Sequence, residues 1–237
     1  MVYTAAMPAQ VTTTAPRELA PGLWDVEQRR RAGGVQQRFR MTVVRLADGG
    51  LWLYSPVEID DGLAAQLGAL GAVAHIVAPN RYHHLFAGGA KRRYPAATLW
   101  AVPGLPEKRR DLTFDRVLPA EAPWGDQLDG LVLTSVPRFN EAVFFHRALR
   151  TLICADFVFN ILTDDSFGTR MIYRLLGAYG KPAQSWFFRK SIDRAAVGPQ
   201  IDTMLAWDIQ RVCMSHGDVL DGNAHAVLTD VLRPLRT

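Results

Sequence analysis

The chain has 237 residues, 49% of them hydrophobic and 21% charged, with a formal net charge of +4. This is enough apolar material for one sizeable core, and it excludes a disordered or low-complexity polypeptide. No run approaches the roughly 20 apolar residues needed to span a bilayer, and the first twenty residues lack the basic and apolar regions of a secretory signal. A cytoplasmic protein without a membrane span is therefore expected.

Residues 1–20 are rich in Ala, Thr and Pro without periodicity and read as a flexible arm. Residues 21–237 read as a single domain. Leu23–Glu27 alternates like a strand, and Gln37–Leu46 resumes the alternation through Phe39, Met41 and Val43. Asp48-Gly49-Gly50 is a tight turn leading into the apolar strand Leu51–Tyr54, so a hairpin is predicted. Asp60 to Leu70 has helical spacing, and Ala74–Ala78 is a short buried strand ending at Pro79. Gly88 to Tyr94 is predicted helical, and Thr98–Val102 is a further strand. Leu131–Val136, Ala142–Phe145 and Thr151–Ala155 follow as three strands in quick succession, the signature of a meander. Residues 160–210 are largely helical and aromatic, Arg211–Met214 is a last strand, and Ala224 to Leu235 a closing helix. Two groups of strands, each followed by helices, imply two packed sheets with helices outside.

Cys154 and Cys213 both lie in apolar strand-like runs and read as buried, reduced thiols. Basic clusters at Arg29-Arg30-Arg31, Lys91-Arg92-Arg93 and Lys108-Arg109-Arg110 have acidic residues between them, so a solvated basic face is the plainer reading.

Three motifs carry the chemistry. Pro79-Asn80-Arg81-Tyr82-His83-His84, Leu152-Ile153-Cys154-Ala155-Asp156-Phe157 and Cys213-Met214-Ser215-His216-Gly217-Asp218 each put a metal-ligand type at the end of an apolar run. A carboxylate at such a place is costly unless it is paired or metal-bound. The candidate ligands are His83, His84, Glu141, Asp156 and His216, with Asp156 and Asp218 as candidate proton acceptors. A mixed His and carboxylate set suits one divalent cation, whether zinc, iron or manganese. The duller alternatives are a polar loop for His83 and His84, a capping Asp156, a turn histidine at His216, and Glu141 paired with an arginine. His75 and His146 read as structural.

The order of these motifs resembles the metallo-β-lactamase superfamily, whose fold is a four-layer αββα sandwich holding one or two metals between its sheets. The Gly88-Gly89 that follows the first loop, the strand-plus-Asp at Asp156 and the final His-Gly at His216 match that order. The chain departs from it in three places. The His pair expected in the first loop is absent, Ser55-Pro56-Val57-Glu58 stands for Asp-x-Gly, and Phe139-Asn140-Glu141 stands where a single His is expected. Pro-Asn-x-x-His-His with a later Phe-Asn-Glu is most similar to an uncharacterised branch, domain-of-unknown-function family 4336. The resemblance implies a metallohydrolase with a depleted site, acting on an ester, thioester or phosphoester. A non-catalytic small-molecule binding module that kept the fold and lost the metal is the alternative. Nucleic-acid processing ranks last, and a homodimer through the aromatic 160–190 region is expected because exposed apolar helices find partners.

Overall fold

A computed structural model of the chain describes residues 10–32, 34–164 and 166–235. Its elements begin with strands β1 (Gln10–Thr13), β2 (Arg17–Ala20), β3 (Leu23–Ala32), β4 (Val35–Arg45) and β5 (Leu51–Tyr54). Helix α1 (Asp61–Leu70), β6 (Val73–Val77), α2 (Ala87–Arg93), β7 (Thr98–Ala101), α3 (Leu105–Lys108) and β8 (Arg116–Val117) complete the first half. The second half is β9 (Leu128–Val132), β10 (Ala142–His146), β11 (Thr151–Cys154), α4 (Phe167–Leu175), α5 (Trp186–Arg189), α6 (Arg194–Leu205), β12 (Arg211–Met214), β13 (Leu220–Asp221) and α7 (Ala224–Leu232).

The strands form two sheets. An eight-stranded sheet runs β1-β3-β4-β5-β6-β7-β8, with β2 also on β3, and a five-stranded sheet runs β13-β12-β11-β10-β9. Strand β5 lies between antiparallel β4 and parallel β6, which is why all four of its residues are apolar and buried. Alternation then assigns its faces. Trp52 and Tyr54 point at the second sheet, their rings 5.0 and 6.0 Å from Phe144, and the Tyr54 hydroxyl donates to the Ala142 carbonyl (2.9 Å). The inter-sheet core thus joins Trp52, Tyr54 and Trp124 to Phe144, Ile153 and Cys213. On the outer face of the five-stranded sheet a second core packs Val143, Leu152, Cys154 and Met214 against α6 and α7 through Ile201, Met204, Leu228 and Leu232. Helices α1 and α2 bury Leu63, Leu67, Ala87 and Ala90 on the other flank. The Asp60 side chain caps α1 by accepting from the Leu63 N–H (2.7 Å). The result is the expected αββα order.

Three expectations change. The arm predicted for residues 1–20 does not hold from Gln10 onward: β1 and β2 pair antiparallel with β3, because the long β3 edge leaves backbone groups that Gln10–Thr13 and Arg17–Ala20 satisfy; residues 1–9 lie outside the described residues. The strand predicted at Leu131–Val136 sits three residues earlier, with Gly130 opposite Phe144. A Cβ at Gly130 would stand 3.0 Å from that ring, so the glycine makes room for the aromatic. Residues 160–210 hold three helices separated by irregular chain. The cysteines are free and buried as expected. Ile153, not Cys154, is the partner of Cys213 in the parallel β11–β12 register, so the thiols point to opposite faces of one sheet.

Candidate metal centre

Strands β6, β11 and β12 each end in a loop carrying one candidate ligand: His83 after β6, Asp156 after β11 and His216 after β12. Strand ends are where loops from separate elements converge, and here the three side chains meet. His83 Nε2 and His216 Nε2 are 2.9 Å apart. Each lies 3.4 Å from Asp156 Oδ1. Asp156 and His216 are buried and the His83 side chain is only 7% exposed.

Each ligand is oriented by a partner of its own. The His216 Nδ1–H donates to the Arg38 carbonyl of β4 (2.9 Å), which leaves Nε2 to carry the lone pair in the neutral ring. Phe159 stacks flat on the His216 ring at 5.1 Å. The loop itself is clamped: Arg40 Nη1 donates to the carbonyls of Met214 (2.9 Å) and Gly217 (2.5 Å), and its Nε to Asp25 (2.8 Å). Gly217 has φ +92°, and a Cβ there would fall 2.2 Å from the Asn160 carbonyl oxygen, so only glycine lets the loop close this tightly. His83 Nδ1 lies 2.8 Å from Ser55 Oγ. A hydroxyl can donate or accept, so Ser55 supports either His83 tautomer, one placing a proton between the two Nε2 atoms and the other presenting two lone pairs.

Asn80 ties the group together. Its amide Nδ2 donates to Asp156 Oδ2 and to Glu141 Oε2, both at 2.9 Å, while its Oδ1 accepts from the Tyr82 and His83 N–H groups. Glu141, fully buried, accepts from the backbone N–H groups of Ala155 (2.7 Å), Asp156 (2.8 Å) and Phe157 (3.2 Å). It is the platform on which the Asp156 turn is built. Burial and the neighbouring Asp156 charge push Glu141 up to about 7, against the pull of its N–H donors. Burial also works against ionised Asp156, but the charge of His83 and the close approach of the His216 and His83 rings, which bond to it when protonated, hold it well below the usual carboxylate range.

Of the five predicted ligands the structure thus brings together His83, Asp156 and His216. His84 turns the other way, its Nδ1 2.8 Å from Arg109 Nη1, and burial with the nearby Lys108 and Arg109 charges lowers it to about 4. Adjacent residues cannot both face inward here, because the Asn80-capped turn aims His83 and Arg109 takes His84. Glu141 does not reach the group, since both of its oxygens are spent on N–H donors. Asp218 binds Arg38 (2.9 Å) with its side chain 41% exposed, so it faces the charged cleft beside β4. His75 and His146 are structural, the former accepting from Trp100 Nε1 (3.3 Å) and the latter from the Leu149 N–H (3.3 Å). The sequence reading missed Ser55, Arg40 and the anchoring use of Asn80. Only Asn80 carried a signal, as an Asx-type residue three positions before His83.

The donor set fits a cation. Two imidazoles and one carboxylate with open positions are a zinc or iron set, and ligand atoms around tetrahedral zinc at about 2.0–2.2 Å lie about 3.3–3.5 Å from one another. The two His–Asp spacings of 3.4 Å match this edge, while the His–His spacing of 2.9 Å is shorter.

Two sheets face to face, helices outside, and a His/Asp group at the strand ends define a metallo-β-lactamase-like fold. Solved structures agree. A metallo-β-lactamase from Hirschia baltica superposes with a TM-score of 0.62 at 12% identity, over 98% of this chain and 99% of that one. One from Pontibacter korlensis gives 0.62 at 15% identity over 97% and 100%. The mono-zinc form of FIM-1 from Pseudomonas aeruginosa gives 0.55 at 12% identity over 97% of each chain. At such identities the likeness is one of fold. The chain belongs to the family described as "Domain of unknown function (DUF4336)", which matches residues 21–167 and so takes in His83, Glu141 and Asp156. No curated protein matches it in sequence.

Proposed function

We propose that this protein is a metal-dependent hydrolase of an ester, thioester or phosphoester, with one divalent cation (zinc, iron or manganese) held by His83, Asp156 and His216. The observation that carries the reading is the convergence of three ligand atoms from three separate strand ends onto one point. Such a cation supplies Lewis acidity, acidifying water and polarising a carbonyl or phosphoryl oxygen. The chain's own residues do the rest. The Arg38 carbonyl sets the His216 tautomer, Ser55 accommodates that of His83, and Asn80 with Glu141 holds the Asp156 carboxylate in place. A carboxylate held this firmly ionised suits ligation better than proton uptake. Asp218, the other expected acceptor, is engaged by Arg38. The two buried free thiols fit a reducing, cytoplasmic setting.

One observation favours a second reading, a metal-free binding module. The 2.9 Å approach of His83 Nε2 to His216 Nε2 is a good hydrogen bond, which lets the group close on itself around one proton. Plasma mass spectrometry of protein purified without a metal-affinity tag separates the two. About one equivalent of metal, absent from His216→Ala, is expected for the hydrolase, and substrate panels follow. No metal after reconstitution with each cation would leave the binding module.

A further inference from the structure

Between Ser166 and Ile192 the sequence has five cations, Arg170, Arg174, Lys181, Arg189 and Lys190, and no carboxylate. The same segment carries large apolar side chains on the outside of the protein. On α4, Phe167, Met171 and Leu175 are 66, 42 and 71% exposed. Spaced four apart, they form one stripe along the helix. The opposite side of α4 is fixed to the protein: Thr169 Oγ1 donates to the Gln36 carbonyl (2.7 Å), and Tyr173 packs on Phe159. The helix is therefore anchored with its apolar stripe outward.

Helix α5 extends the face. The Trp186 N–H donates to the Leu176 carbonyl (2.9 Å), Trp186 is 40% exposed, and Lys190 lies over its ring at 4.8 Å. Arg174 lies over the Tyr179 ring at 5.0 Å. Among the described residues, Arg174, Lys181, Arg189 and Lys190 make no ion pair, although most arginines elsewhere in the chain do.

We propose that the α4–α5 face docks this protein on an anionic membrane surface, with Phe167, Met171, Leu175 and Trp186 entering the headgroup boundary and the surrounding cations meeting lipid phosphates. Exposed Phe, Leu and Trp beside Lys and Arg are what an interfacial helix requires, and anionic lipid complements the positive charges of Arg174, Lys181, Arg189 and Lys190. A second copy of the chain fits worse, because a two-fold contact would set this positive face against itself. Nucleic acid fits worse because two of the four exposed apolar side chains, Met171 and Leu175, are aliphatic and offer bases nothing to stack on, whereas a headgroup boundary takes all four. No helix among the described residues is long and apolar enough to cross a membrane, so the association is peripheral. Tyr173 on Phe159, and Phe159 on His216, put the bilayer one helix away from the His83–Asp156–His216 group. The proposal does not depend on a metal being bound there.

Flotation of the full chain with vesicles tests it. Vesicles of equal parts phosphatidylglycerol and phosphatidylcholine should bind at least about tenfold better than phosphatidylcholine alone, and about 0.5 M salt should remove most of the difference. Phe167→Ser/Leu175→Ser and, separately, Arg174→Gln/Lys190→Gln should each lower partitioning about tenfold while thermal unfolding is unchanged, as all four side chains are exposed. Binding without preference for anionic lipid, or undiminished in the charge variant, would overturn the proposal. So would a dimer in sedimentation equilibrium, or poly(U) binding, that the Phe167/Leu175 variant abolishes in the absence of vesicle binding.

Discussion

The two sides of the candidate metal centre are held by opposite kinds of chemistry. Asp156 and His83 rest on Glu141 and Asn80, a dry support in which a buried carboxylate is satisfied entirely by N–H donors. His216 rests on Arg40, a buried guanidinium that grips two loop carbonyls and is neutralised by Asp25. Asp25 also binds Arg17, and Glu27 binds Arg29 and Arg38, so this second support opens into a charged cleft of about 610 Å³. The difference teaches that one fold can aim converging ligands with either a buried anion on backbone amides or a buried cation on backbone carbonyls. The anionic support has no redundancy, whereas the cationic one shares its charges among several neighbours.

The largest effect should therefore come from Glu141→Ala. It orphans three buried backbone N–H groups and removes one of the two Asn80 Nδ2 bonds, and should cost roughly 3–5 kcal/mol in urea unfolding. Glu141→Gln keeps the volume and should cost about half as much. Arg40→Met should cost less than Glu141→Ala, about 2–3 kcal/mol, because Arg17 still pairs with Asp25. An Arg40→Met cost equal to or above that of Glu141→Ala would break the asymmetry. Arg40→Lys should restore part of the stability but, on the proposed hydrolase reading, bind less metal than wild type on reconstitution, since an ammonium cannot hold both carbonyls and Asp25 in the same fork.

The pH response sharpens the contrast further. Burial resists ionisation of Glu27, yet Arg38 and Arg29 bring it below its ordinary value. With the folded value lower than the unfolded one, its stabilisation is present above the usual glutamate range and is lost as pH falls through and below about 4.5. Wild type should lose about 1 kcal/mol more than Glu27→Gln between pH 5 and pH 3, a modest figure because the pair is partly solvated. Equal slopes would remove Glu27 from the cationic support. The smallest effect should be that of salt: replacing Asp218, whose side chain is 41% exposed, with Asn should change stability by less than about 1 kcal/mol, and less again at high ionic strength.

Much of this was legible in the chain. The apolar runs Val73–Val77, Thr151–Cys154 and Arg211–Met214 declare strands, and a ligand-type residue just beyond each declares a loop at a strand end. These are local signals, readable from a period of two and from the cost of leaving a polar group in an apolar run. The layered fold and the candidacy of His83, Asp156 and His216 follow from them. The tertiary structure alone decided between His83 and His84, because the deciding partners, Ser55 and Arg109, lie far along the chain. It alone turned Glu141 from candidate ligand to scaffold, since its partners are backbone amides 14–16 residues away that no side-chain pattern announces. It alone drew β1 and β2 onto β3 and placed Arg40 behind His216, contacts of shape and hydrogen-bond supply that exist only once the two sheets have met.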